Sequence, residues 1–150
     1  MTAARAILAA LLLAMAQPAT AEDGVFGRWA TPGVSAIVQL APCSDAAMLC
    51  GTIRWLWDGV DDKGRPRLDA QNSDANLRSR PLVGLTILSD LKAVKAGVWG
   101  GRIYNPEDGK TYRATLSRLG PDTLIVEGCV LLGCQKQVWR RASALAEALR

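Results

Sequence analysis

Apolar and polar residues alternate along most of this chain with a period of two, in short runs separated by Gly, Pro, Asn and Asp. A period of two sends successive side chains to opposite faces of an extended strand, so each run reads as a half-buried β-strand. The pattern predicts strands over 25–30, 34–41, 50–57, 84–91, 98–105, 110–118, 123–128 and 135–140. In the second, Val34, Ala36, Val38 and Leu40 alternate with Ser35 and Gln39, and in the third Ile53, Trp55 and Trp57 share one face against Thr52, Arg54 and Leu56. The breaks between runs carry turn chemistry. Thr31-Pro32-Gly33 joins the first two, Pro106 and Gly109 shape a hairpin over 104–110, and Leu119-Gly120-Pro121-Asp122 makes another. About eight successive strands with short connections predict an all-β, antiparallel up-and-down barrel, because closure removes exposed sheet edges. A two-sheet sandwich is the alternative. The Ala- and Leu-rich tail, 143–150, reads as a short helix.

The first 21 residues follow a different pattern. Arg5 precedes an apolar run over 7–16, then a polar break at Gln17-Pro18 and the small residues of Ala19-Thr20-Ala21. That order describes a cleavable secretory signal peptide cut before Glu22, with 22–150 as one β-barrel domain. The run is too short for a membrane-spanning helix. No cysteine follows it until Cys43, so there is nothing to acylate, and the expected product is periplasmic or secreted with no transmembrane segment after cleavage.

Charge and composition narrow the chemistry. The net charge of +4 comes from scattered Lys and Arg, without the basic stripe that nucleic-acid binding requires. Histidine is absent, which excludes Ser-His and Cys-His nucleophiles and histidine-containing metal sites. Four cysteines stand as two close pairs, Cys43 with Cys50 and Cys129 with Cys134. In an oxidising compartment they are expected to form two local disulfides, since short loops close at the least entropy cost. Three connectivities are formally open, and a four-thiolate zinc site is the functional alternative.

One stretch breaks the strand rhythm. Residues 58–81 carry Asp58, Asp61, Asp62, Asp69 and Asp74, then Asn76-Leu77-Arg78-Ser79-Arg80-Pro81. Connections this long are usually functional or disordered. Together with Gly27-Arg28-Trp29, Cys50-Gly51-Thr52-Ile53, the continuation Leu82-Val83-Gly84-Leu85, Gly101-Arg102-Ile103-Tyr104-Asn105-Pro106, Gly109-Lys110-Thr111-Tyr112, Gly128-Cys129, Cys134 and Trp139, this segment resembles a bacterial family of small exported proteins called domain of unknown function 2147. The resemblance runs from about Gly24 to Arg141 and implies an envelope location and a lipocalin-like barrel, with no established activity. In the lipocalin group a Gly-x-Trp on the first strand closes one end of the barrel under an Arg from the last strand. Gly27 and Trp29 match the first part, and Arg140 or Arg141 the second.

Candidate binding chemistry lies in three places. Trp55, Trp57 and Trp99 can line an aromatic cavity or a sugar-stacking platform, or simply fill the core. Arg78 and Arg80, alternate residues of an extended segment, can present two guanidinium forks to an anion, or pair with the Asp residues of their own loop. The acidic loop lacks EF-hand spacing, so no metal or cofactor is expected, and no catalytic residue emerges. The resulting expectation is a non-enzymatic envelope protein that binds a small apolar or amphipathic molecule or an envelope component. A protein–protein module, acting as an inhibitor or assembly factor, is the alternative, and a carboxylate-based enzyme the third.

Overall fold

The computed structural model describes residues 24–144. The expected signal segment and most of the tail lie outside these residues, although helical backbone begins at Ala142. Eight strands follow one another: β1 (Gly27–Ala30), β2 (Ala36–Pro42), β3 (Leu49–Leu56), β4 (Thr86–Lys95), β5 (Val98–Asn105), β6 (Lys110–Arg118), β7 (Thr123–Val130) and β8 (Gly133–Arg141). Each pairs antiparallel with the next, and β1 pairs with β8 through Trp29↔Arg141 and Ala30↔Arg140. The sheet therefore closes into a barrel, although the four-residue β1 covers only the last residues of β8. Among the described residues no helix is long and apolar enough to cross a membrane.

Inward positions supply the core, made of Val38 and Leu40 from β2, Leu88 and Leu91 from β4, Trp99 from β5, Ala114 and Leu116 from β6, Leu124 and Val126 from β7, and Trp139 from β8. The β4–β5 pair needs a glycine to close. A Cβ on Gly101 would stand 2.6 Å from the Ser89 carbonyl oxygen and 2.8 Å from the Leu91 backbone, where β4 bulges at Asp90.

The alternation is broken in two places. Val34 does not open β2 but lies in a short 3-10 turn, Pro32–Val34, with φ of 55°, a value that β-branched residues rarely adopt. On β3, Ile37 faces Trp55 while its neighbour Val38 faces Ile53, so Arg54 is an extra, bulged residue. The bulge reverses the parity of everything after it. Ile53 points inward, whereas Trp55 is on the outer wall and Trp57 follows it there.

Both expected disulfides are present, Cys43–Cys50 between β2 and β3 and Cys129–Cys134 across the β7–β8 hairpin, and no described cysteine is free. The pairing rules out the four-thiolate site. Glu127, Cys129 and Cys134 do cluster, but both sulfurs are consumed by the disulfide.

Candidate functional site

Strand direction gives the barrel two unlike ends. At one end lie the N-terminal approach to β1, the Cys43–Cys50 loop and the β4–β5 and β6–β7 turns. This end is shut by Trp29, which is fully buried and donates its indole N–H to the Val25 carbonyl at 2.8 Å. The guanidinium of Arg141 sits 4.2 Å from the indole centroid and donates to the carbonyls of Gly24, Phe26 and Pro121 at 2.5, 3.0 and 2.8 Å. Cation–π attraction and three carbonyl acceptors thus fix one side chain over the plug. Arg140, the alternative partner for Trp29, points outward and donates to the Thr123 hydroxyl at 2.6 Å. Parity decides this, because Trp139 faces the core and the next inward position on β8 is Arg141.

The opposite end is open. A cavity of about 500 Å³ enters the barrel between the β1–β2 turn, the β5–β6 turn and the β7–β8 hairpin. Its floor is apolar, formed by Ile87, Ile103, Val126 and Trp139. Gln135 and Gln137 project above the floor from β8, and Gln137 accepts the Trp139 indole N–H at 2.9 Å. Asn105, Glu107, Asp108 and Tyr112 line the wall across from them. Tyr112 donates its hydroxyl to Asp108, and this bond, aided by the Lys110 amide and ammonium, holds the Asp108 carboxyl below its ordinary pKa. The cavity therefore grades from hydrocarbon at its base to hydrogen-bonding groups and negative charge at its lip.

The long β3–β4 connection is an ordered wall beside this opening. It forms its own bridges, Val60↔Pro66 and Leu68↔Pro81, and borders a second, open hollow of about 910 Å³ that shares Ser35, Ala36 and Glu107 with the mouth. Its anchor is Asp69, whose side chain is fully buried. The carboxylate accepts from the Tyr104 hydroxyl at 2.5 Å, from Asn72 at 2.8 Å, and from Arg80 at 2.9 and 2.8 Å. Burial works to raise the Asp69 pKa, but the bonds from Tyr104, Asn72 and Arg80, with the Arg80 charge, outweigh it and lower the value. Burial and the Asp69 partner raise the Tyr104 pKa in turn. Gly109 lets the β5–β6 turn meet this wall, since a Cβ there would stand 1.8 Å from the Gln71 carbonyl oxygen.

Over residues 27–141 the chain matches the model of a family described as "Uncharacterized protein conserved in bacteria (DUF2147)". The chain belongs to this family. No match among curated proteins meets the threshold for significance. Among solved structures, the DUF2147 chain is similar to one described as "Protein HP1028 from the human pathogen Helicobacter pylori belongs to the lipocalin family", with 20% identity, a TM-score of 0.69, and coverage of 82% of this chain and 87% of that one. At that identity the likeness concerns the lipocalin-like fold.

The remaining candidates fall into separate places in this DUF2147 protein. Trp99 is buried in the core. Trp55 and Trp57 are exposed on the outer wall with their rings 6.2 Å apart and edge-on, so the three do not share a cavity. The β3 bulge is the cause. Arg78 and Arg80 do not form a paired fork, because Arg78 ends a 3-10 turn instead of lying extended. Arg78 donates to the Asn72 carbonyl at 2.7 Å and Arg80 is bound to Asp69. The cavity residues Gln135, Gln137 and Tyr112 and the anchor Asp69 were absent from the sequence-derived candidates. The parity of β8, with Trp139 inward, was the available signal for the two glutamines.

Proposed function

We propose that this protein is an exported, non-enzymatic carrier that takes a small amphipathic molecule into the open mouth of its barrel. One observation carries the reading: a mouth cavity of about 500 Å³ whose floor is Ile87, Ile103, Val126 and Trp139 and whose lip is polar. That volume suits a small ligand, and the gradient suits a molecule with an apolar body and a hydrogen-bonding head. Export is supported by the signal-like first 21 residues and by two disulfides, which persist in oxidising compartments. The carboxylates with displaced pKa values, Asp61, Asp69 and Asp108, are all displaced downward, opposite to what a carboxylic general acid needs.

The test is titration with the apolar fluorescent amine N-phenylnaphthylamine, comparing the wild type with Gly128→Leu, which places a side chain in the cavity beside Ile103. Saturable binding by the wild type, weakened at least about tenfold in the variant, is the expected result. Equal binding by both would move the ligand site elsewhere.

A further inference from the structure

The β7–β8 hairpin ends in Val130-Leu131-Leu132-Gly133, and Leu131 and Leu132 are as exposed as in an extended chain, at 105% and 100%. With Val130 paired to Gly133, the two leucines form a two-residue turn, where polar turn formers such as Asn-Gly are the norm. Folding does not require them there, because the Cys129–Cys134 disulfide crosslinks the strands immediately below. One of the two adjacent rim segments is the β1–β2 turn, since β1 lies between β2 and β8 in the barrel; the other is the β5–β6 turn, through β6 and β7. The β1–β2 turn, Thr31-Pro32-Gly33-Val34-Ser35, has no charged residue and presents Val34 to solvent. Trp57 stands beside it, 78% exposed, with its amide donating to the Ser35 carbonyl at 2.9 Å. The result is an uncharged apolar arc on one side of the mouth.

Charge on the outer wall indicates what covers this arc. Arg102 and Arg113 face each other across β5 and β6 and line an external hollow of about 310 Å³. Arg113 is also the register partner of Cys129, one residue below the tip. Like charges directly opposite in a sheet repel unless an anion relieves them. Arg102 has only a 3.9 Å contact with Asp90, and Arg113 has no ion pair among the described residues. A convex pair of leucines, an interfacial tryptophan and a guanidinium pair set just behind them match the profile of a bilayer surface with anionic headgroups.

We propose that this arc is a membrane-docking surface: Leu131 and Leu132 enter the acyl boundary of an anionic bilayer, and Arg102 and Arg113 take headgroup phosphates. Val130 and Gly133 line the mouth cavity, so docking sets the cavity opening beside the lipid. The β3–β4 wall lies across the mouth from the tip, whereas the β5–β6 turn, with Glu107 and Asp108, flanks the tip on its other side and marks the limit of the docking arc. Docking stands on the rim alone and does not require the cavity to be loaded.

The experiment is co-flotation of the protein with vesicles of phosphatidylcholine, with and without phosphatidylglycerol. Wild-type protein is expected to float with phosphatidylglycerol-containing vesicles, and Leu131→Asp/Leu132→Asp to weaken this at least about tenfold. The milder Leu131→Gln/Leu132→Gln should show the same direction with an unchanged melting temperature, and Arg113→Gln should reduce the phosphatidylglycerol preference. Val94→Asp/Leu119→Asp, changing two exposed apolar residues at the closed end, should bind as wild type. Absence of wild-type flotation, undiminished flotation of both tip variants, or an equal loss in the closed-end variant would each overturn the proposal. Dye binding without vesicles separates the two readings: retention by the tip variants is expected, and loss of dye binding in the wild type with flotation intact would defeat the carrier reading alone.

Discussion

The two ends of this barrel use the same strands for opposite purposes. At the closed end the inward side chains are apolar except for Arg118, which donates to the Gly120 carbonyl, and Arg141, which is spent on the Trp29 ring and three carbonyls. At the open end inward positions on β8 become glutamine, and the space above Trp139 is left unfilled. The difference shows where stability resides: the closed end and core hold the fold, which frees the mouth to carry polar groups and cavity walls that contribute little to it.

That contrast is sharpest for Trp29. Replacing it with Ala removes the buried plug and leaves the Arg141 guanidinium without its ring, and should cost about 4 kcal/mol in urea unfolding. The same class of change at the mouth, Gln135→Ala, should stay within about 0.5 kcal/mol. Comparable losses at both ends would contradict the division.

Asp69 tests whether the β3–β4 wall is built into the fold or merely rests on it. Asp69→Asn should cost about 2 kcal/mol, a figure discounted because Arg80 is partly exposed. Since the native pKa of Asp69 is lowered, its contribution is full above the unfolded carboxylate value of about 4 and is lost as pH falls through the native value. The gap in unfolding midpoint between wild type and Asp69→Asn should therefore be constant near neutrality and close in acid. A gap that widens below pH of about 4 would contradict the assignment of the charged form.

The disulfides offer a matched pair of changes, one at each end. Removing either by double Cys→Ser substitution should cost about 2 kcal/mol by the chain-entropy account, because both loops are short. Only loss of Cys129–Cys134, which carries the Leu131-Leu132 tip, should also weaken vesicle binding. The smallest effect is expected for Gln135→Leu, nearly neutral in stability yet selective for more apolar probes in a dye competition assay.

Most of the barrel was legible because period-two alternation is a direct record of which face is buried, and it located eight strands to within a few residues of their observed limits. Closure by Trp29 was legible too, although choosing Arg141 over Arg140 required the inward parity of Trp139. The β3 bulge was not legible. Ile53, Trp55 and Trp57 keep perfect alternation through it, so nothing in the pattern shows that the inserted Arg54 sends both tryptophans outside. Asp69 was equally hidden among five aspartates of one loop, because what sets it apart is Tyr104, a partner 35 positions away. The residues that line the mouth were missed for a related reason: a cavity is the absence of filling side chains, and only the assembled sheet brings Gln135, Gln137, Gly128 and Tyr112 around one space.

Native mass spectrometry of the protein, purified from its own host without detergent, tests the carrier reading most directly. The account predicts a retained small molecule, released on unfolding and absent from Gly128→Leu prepared in the same way. A bare chain in every preparation, with both disulfides intact, would contradict it.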